Sequence, residues 1–342
     1  MKLIKPFFVI ILFLFLTISC RKDEELDQST IPEGIVYVSG QRTYGASSAA
    51  VIWKNGVATN LTDGTNHARA NSVFVSGKDV YAAGYEQIGT MLMPILWKNG
   101  QSTTLSDVGN SGTAHKVVVV GSDVYVVGHE LNGTIQVGKV WKNGIATNYT
   151  DAVYYTILRS IKVIGNDVYV GGTSNTSSKS RAEYWKNGVK IFATSESEYA
   201  AGISMDVSGS DVYLAGYKSN GTKNVATYWK NGQEVALTDG TNTAFLSDIC
   251  IVGNDLYAVG YEYNTDNRSV AKLWKNGIVT NLSDGTNSNI TSKIIVVNNE
   301  VYIAGYEQFS TYSVATFWKN GVAKKVGDPR TSSLGVGIFV NQ

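Results

Sequence analysis

An aromatic ring beside a carboxylate recurs along this chain: Tyr85-Glu86, His129-Glu130, Tyr261-Glu262 and Tyr306-Glu307, with Tyr217-Lys218 a divergent copy. Thr173-Ser174 and Gln41-Arg42 fill the same slot in the remaining copies. An aromatic gives a sugar ring an apolar face to stack on, and a carboxylate accepts from its hydroxyls, so these residues are the candidate ligand site. The competing account is that they end a strand and pack the loop beyond it. His115 and Arg159 occupy equivalent positions in successive copies and form a second, polar pair.

Other chemistry finds less support. Asp63, Asp107, Asp151, Asp239, Asp284 and Asp328 each stand ten residues beyond a tryptophan, which suggests calcium. A calcium site needs six to eight converging oxygens, and one Asp per repeat does not supply them; an Asp capping its own turn is the expectation, with no metal and no cofactor. His67, His115 and His129 are the only histidines, and no zinc-protease, paired-cysteine or Gly-x-Ser-x-Gly motif is present. With 29 basic and 28 acidic residues the chain is near neutral, against nucleic-acid binding. The chain is expected to be a non-enzymatic binding module. The alternative is a polysaccharide hydrolase or lyase using His115, His129, Arg159 and nearby carboxylates.

What positions these residues is a repeat. Trp-Lys-Asn-Gly begins at Trp53, Trp97, Trp141, Trp185, Trp229, Trp274 and Trp318, at steps of 44, 44, 44, 44, 45 and 44 residues. Asn-Gly is a strong type I′ hairpin signal, because both central residues need positive φ. Each repeat reads strand, tight turn, strand, loop, strand, Asn-Gly turn, strand, with the Ser160 type of strand innermost and the Val57 type outermost. In the second strand both alternating sets are apolar or small, such as Val80, Ala82 and Gly84 against Tyr81 and Ala83. Such a strand is covered on both faces. The tyrosine series 37, 81, 125, 169, 213, 257 and 302 is read as packing between repeats. The tryptophans are read as packing near the edge, on a face left partly wet by Lys139, Glu183 and Lys272.

A period of this length predicts an all-β, seven-bladed β-propeller of four-stranded antiparallel blades over residues 35–342. Ile35–Leu61 supplies three strands of one blade and Ser333–Val340 the missing inner one, so the two chain ends should close the ring together. The layout resembles seven-bladed propellers of the WD-repeat and kelch type. The WD-repeat's Gly-His and Trp-Asp pairs are absent, and the kelch double glycine survives only as Gly171-Gly172, so no family partner carries over. Hairpin turns fall on one face of the disc and the longer, variable loops on the other; ligand binding is assigned to the loop face.

Residues 1–19 read as a signal peptide: Lys2 and Lys5 precede an apolar run, Pro6–Ile18, too short to span a bilayer. The end of that run, Leu16-Thr17-Ile18-Ser19-Cys20, resembles the lipobox of bacterial lipoproteins, which implies acylation of Cys20 and membrane attachment. Arg21-Lys22-Asp23-Glu24-Glu25 is similar to the export signal of surface lipoproteins, implying an outer-membrane lipoprotein facing the medium. Residues 20–34 form the tether, and the expected partner is a glycan or an envelope protein. Cys250, the only other cysteine, lies in an apolar run and is read as a buried small residue.

Overall fold

Asn-Gly turns and period-2 strands dominate the computed structural model, which describes residues 34–106, 109–175 and 179–341. The signal peptide, Cys20 and Asp107 lie outside the described residues. The described residues contain 28 strands in seven four-stranded antiparallel sheets. This is a seven-bladed β-propeller. Six sheets follow chain order; in the seventh, Ser333–Asn341 pairs antiparallel with Ile35–Tyr44, ahead of Ser47–Lys54 and Val57–Asn60. The chain ends therefore share one blade, as the strand count predicts, and the inner edge of Ile35–Tyr44 is paired rather than bare.

The core lies between blades. One apolar cluster joins Tyr125, Val127 and Val140 of one blade to Leu158, Ile161, Val170 and Trp185 of the next. All seven tryptophans are no more than 2% exposed. The expectation of a wet tryptophan face is not met, because its polar neighbours are neutralised by ion pairs. Lys139 bonds Glu130, Lys272 lies 2.8 Å from Glu262, and the buried Glu183 takes Ser174 Oγ at 2.6 Å with Arg181 and Lys190 beside it.

The rest of the Trp-Lys-Asn-Gly motif builds the turn face. In the first complete chain-order blade, Asn99 and Gly100 take φ of 53° and 82°, as the type I′ turn requires. Asn99 Oδ1 accepts from Val80 N at 2.9 Å, its Nδ2 donates to Asp79 at 2.8 Å, and Lys98 Nζ reaches Asp79 at 2.8 Å. Lys98 also lies 5.3 Å above the Tyr81 ring. Every blade repeats the lysine-on-tyrosine contact, at 5.0 to 5.7 Å. Four of the repeated aspartates cap their own turns: Asp63 accepts from Thr65 N and Oγ1, Asp239 and Asp284 do the same with Thr241 and Thr286, and Asp328 accepts from Arg330 N.

One feature of every blade was not expected. The register of each innermost strand slips by one residue, as between Ala70 and Ser72, Ala114 and Lys116, or Leu158 and Ser160. The inserted residue makes a β-bulge, which re-aims a side chain at the cost of regular pairing. Room for it comes from a glycine in the second strand: a Cβ on Gly84 would overlap the Arg69 carbonyl oxygen, and one on Gly216 that of Ala201.

Candidate functional site

The bulges deliver one extra residue per blade to the axis. Asn71, His115, Arg159, Ile203, Ser247, Ser292 and Val336 together line a loop-side cavity of about 330 Å³. Arg69, Lys293, Tyr261 and Tyr306 also face it. The structure thus brings four sequence-predicted residues, His115, Arg159, Tyr261 and Tyr306, into one cavity. His129 stands just behind, with Nδ1 3.3 Å from Nε2 of His115 and the rings stacked. Tyr85 lies under Arg69, whose guanidinium is 5.5 Å from the ring. Tyr217 meets Phe245 edge-on at 4.9 Å, and Phe245 in turn meets Tyr261 at 5.2 Å.

The carboxylates of the repeated pairs do not join them. Strand alternation sends neighbours to opposite faces, so each glutamate turns into the space between blades. There Glu130 bonds Lys139, Glu262 bonds Lys272, and Glu307 bonds Lys325 at 3.0 Å and Asn287 at 3.0 Å. Burial and the nearby Asp63 hold the Glu86 carboxyl above its ordinary pKa. Ring and carboxylate therefore do not form one subsite.

The cavity is electropositive. Arg159 Nη1 donates to Thr173 Oγ1 at 3.3 Å, and Arg69 Nε donates to Asn71 Oδ1 at 2.7 Å. Among the described residues neither guanidinium has a carboxylate within ion-pair distance. Burial lowers the pKa of Arg159. It also pushes His115 well below the ordinary imidazole value, helped by His129, Arg159, Arg69 and Lys293. Burial, then Arg159, takes His129 down to about 4. Both imidazoles are therefore neutral at neutral pH, each with one donor and one acceptor nitrogen.

Deeper toward the turn face the channel is a charge plug. Lys162 pairs with Asp206 at 2.8 Å and Lys293 with Asp248 at 3.6 Å. Backbone N–H groups of the next blade pin both carboxylates, Ile251 onto Asp206 and Ile294 onto Asp248, each at 2.8 Å. Among the described residues Lys116 bonds Ser160 Oγ, at 3.4 Å, and burial with Lys293 nearby lowers its pKa to about 8. Cys250 lines this half, its thiol pushed up to about 12 by burial.

Arg69, Asn71, Ser247, Ser292 and Lys293 are site residues that the sequence reading missed. The glycine common to all seven second strands, at 40, 84, 128, 172, 216, 260 and 305, is the signal that marks the bulges.

No protein-family model matches this chain, and no curated protein does. Among solved structures, a Mycobacterium tuberculosis puromycin-hydrolyzing peptidase superposes with a TM-score of 0.56 at 9% identity, over 84% of this chain and 53% of the peptidase. This chain thus spans about half the length of that protein. The β-propeller domain of the Trilobed protease from Pyrococcus furiosus gives 0.52 at 11% identity, over 86% of this chain and 95% of the domain. TolB from Acinetobacter baumannii gives 0.47 at 10% identity, over 87% and 81%. At such identities the likeness is one of fold. The Pyrococcus domain is described as having an open velcro topology, whereas here the two chain ends pair within one blade.

Proposed function

We propose that this is a non-enzymatic, lipid-anchored binding module of the cell envelope, attached through Cys20 at the outer membrane, facing the medium, and recognising a glycan or an envelope protein with its loop face. The observation that carries the reading is the loop-side cavity, where side chains that differ from blade to blade converge on an otherwise repetitive scaffold. A concave site with a few converging polar groups is the usual form of a ligand pocket. The strand Ile35–Tyr44 begins at the turn-face end, beside Asn55, which accepts from Val36 N at 2.8 Å.

A lyase is the second reading, favoured by one observation: the neutral His115–His129 couple sits beside Arg159, a base next to a clamp for an acidic sugar. A glycan array and an affinity capture of envelope proteins, both probed with the full chain, test the main reading. Changing Tyr85, Tyr261 and Tyr306 to Ala should abolish capture while the fold persists. Release of unsaturated sugar products by purified protein, lost in His129→Ala, would replace binding with catalysis.

A further inference from the structure

We propose that the loop-side cavity binds a carboxylated sugar, a uronate residue of an acidic glycan, through Arg159 and Arg69. The inference rests on the glycan branch of the reading above and names its ligand class. Its first support is charge. Arg69, Arg159, Lys116, Lys162 and Lys293 line the channel against Asp206 and Asp248, a surplus of three cations. Lys162 and Lys293 hold the two aspartates on the turn side, so the surplus falls on Lys116 and on the two arginines at the loop side. A cation withdrawn from water is costly unless an anion or a hydrogen-bond set replaces the lost solvation. Glu130, Glu262 and Glu307 do not serve, because they are held by Lys139, Lys272 and Lys325.

The second support is sidedness. Arg69, His115 and Arg159 come from three consecutive blades, and Tyr261, Tyr306, Leu334 and Val336 from the three consecutive blades across the axis. A guanidinium matches a carboxylate in a planar, bidentate fashion, and a tyrosine covers a sugar face. Asn71 on the arginine side and Ser247 and Ser292 on the tyrosine side add polar partners for ring hydroxyls. At about 330 Å³ the cavity is at the lower end of small-ligand sites, roughly 300–1,000 Å³, which suits one sugar residue of a longer chain.

Titration calorimetry on the full chain in detergent micelles, with trigalacturonate, its methyl ester and a neutral galactose trimer, tests the proposal. The acid should bind, and the ester and neutral trimer should bind about tenfold or more weakly. Arg159→Gln and Arg69→Gln should each lose about tenfold or more at an unchanged melting temperature, with Arg159→Lys retaining part of the affinity. Should the variants fail to fold, the wild-type histidines supply the readout: bound trigalacturonate should raise the titration points of His115 and His129, and the ester should leave them in place. Equal binding of acid and ester would overturn the proposal, as would an acidic tripeptide that binds as tightly as the sugar. Capture of an envelope protein with no glycan bound would overturn it and leave the protein branch standing, whereas failure of both arms would sink the general reading too.

Discussion

The turn face and the loop-side channel are made by the same seven repeats and obey opposite rules. On the turn face each blade sets a lysine over a tyrosine and an Asn-Gly pair in the left-handed region, as Lys98, Tyr81, Asn99 and Gly100 illustrate. At the bulge, seven equivalent slots hold Asn71, His115, Arg159, Ile203, Ser247, Ser292 and Val336. A slot filled alike seven times answers a demand that every blade makes, namely to close a hairpin and cover a neighbour. A slot filled differently answers something without sevenfold symmetry, and a ligand on the axis is such a thing.

The largest effects should come from breaking what the blades share. Deleting 333–342 removes an inner strand whose Ile338 and Val340 are buried and bares the edge of Ile35–Tyr44. At roughly 1.5–3 kcal/mol per buried aliphatic side chain, calorimetry should show a melting temperature lower by on the order of 10 °C, or no cooperative transition. A truncated chain that melts like the full one would mean that the shared blade does not close the ring. Gly84→Ala comes next, because its Cβ would overlap the Arg69 carbonyl oxygen and the bulge would have to move. A loss of about 3 kcal/mol or more in denaturant unfolding is expected, together with displacement of Asn71 and Arg69 from the cavity.

Acid should separate the two regions. His129 titrates at about 4 in the folded chain against an ordinary 6.5, and His115 is shifted the same way. Between those values the unfolded chain binds protons that the folded chain does not, so stability is full above pH 6.5 and falls as the pH drops toward 4. His129 accounts for up to about 3 kcal/mol of that loss. The turn-face carboxylates Asp79, Asp123 and Asp211 are held below their ordinary values by lysine and asparagine, so their contribution is lost only at lower pH. His129→Gln should shrink the first window by its own share, leaving that of His115, and leave the second; a first window unchanged by the substitution would place its source elsewhere.

The same contrast explains what could be read from the chain before its structure. Blade number, turn types and closure were legible because Trp-Lys-Asn-Gly and the tyrosine series report local demands that recur at fixed spacing. The slot of Tyr85, His129, Tyr261 and Tyr306 was legible as aromatic, and His115 with Arg159 as equivalent polar positions. The bulge was not, because one inserted residue shifts the alternation in mid-strand and runs such as Val117–Val120 hide the change of phase. Glutamate orientation was missed for a related reason: adjacency in sequence suggested a joint subsite, whereas strand alternation parts Glu262 from Tyr261 and gives it to Lys272.

The finest division lies within one turn. Asn99 holds a left-handed backbone and satisfies Val80 N, so Asn99→Ala both strains the turn and removes its hydrogen bonds, at about 1–2 kcal/mol. Lys98→Ala removes an exposed ion pair with Asp79, screened by solvent and salt, and the packed Tyr81 ring stays in place beneath it. Its melting temperature should be indistinguishable from wild type. If Lys98→Ala were instead as destabilising as Asn99→Ala, in low and high salt alike, the lysines would belong to the structural frame. The frame would then extend beyond the backbone demands of the turn to the side chains that decorate it.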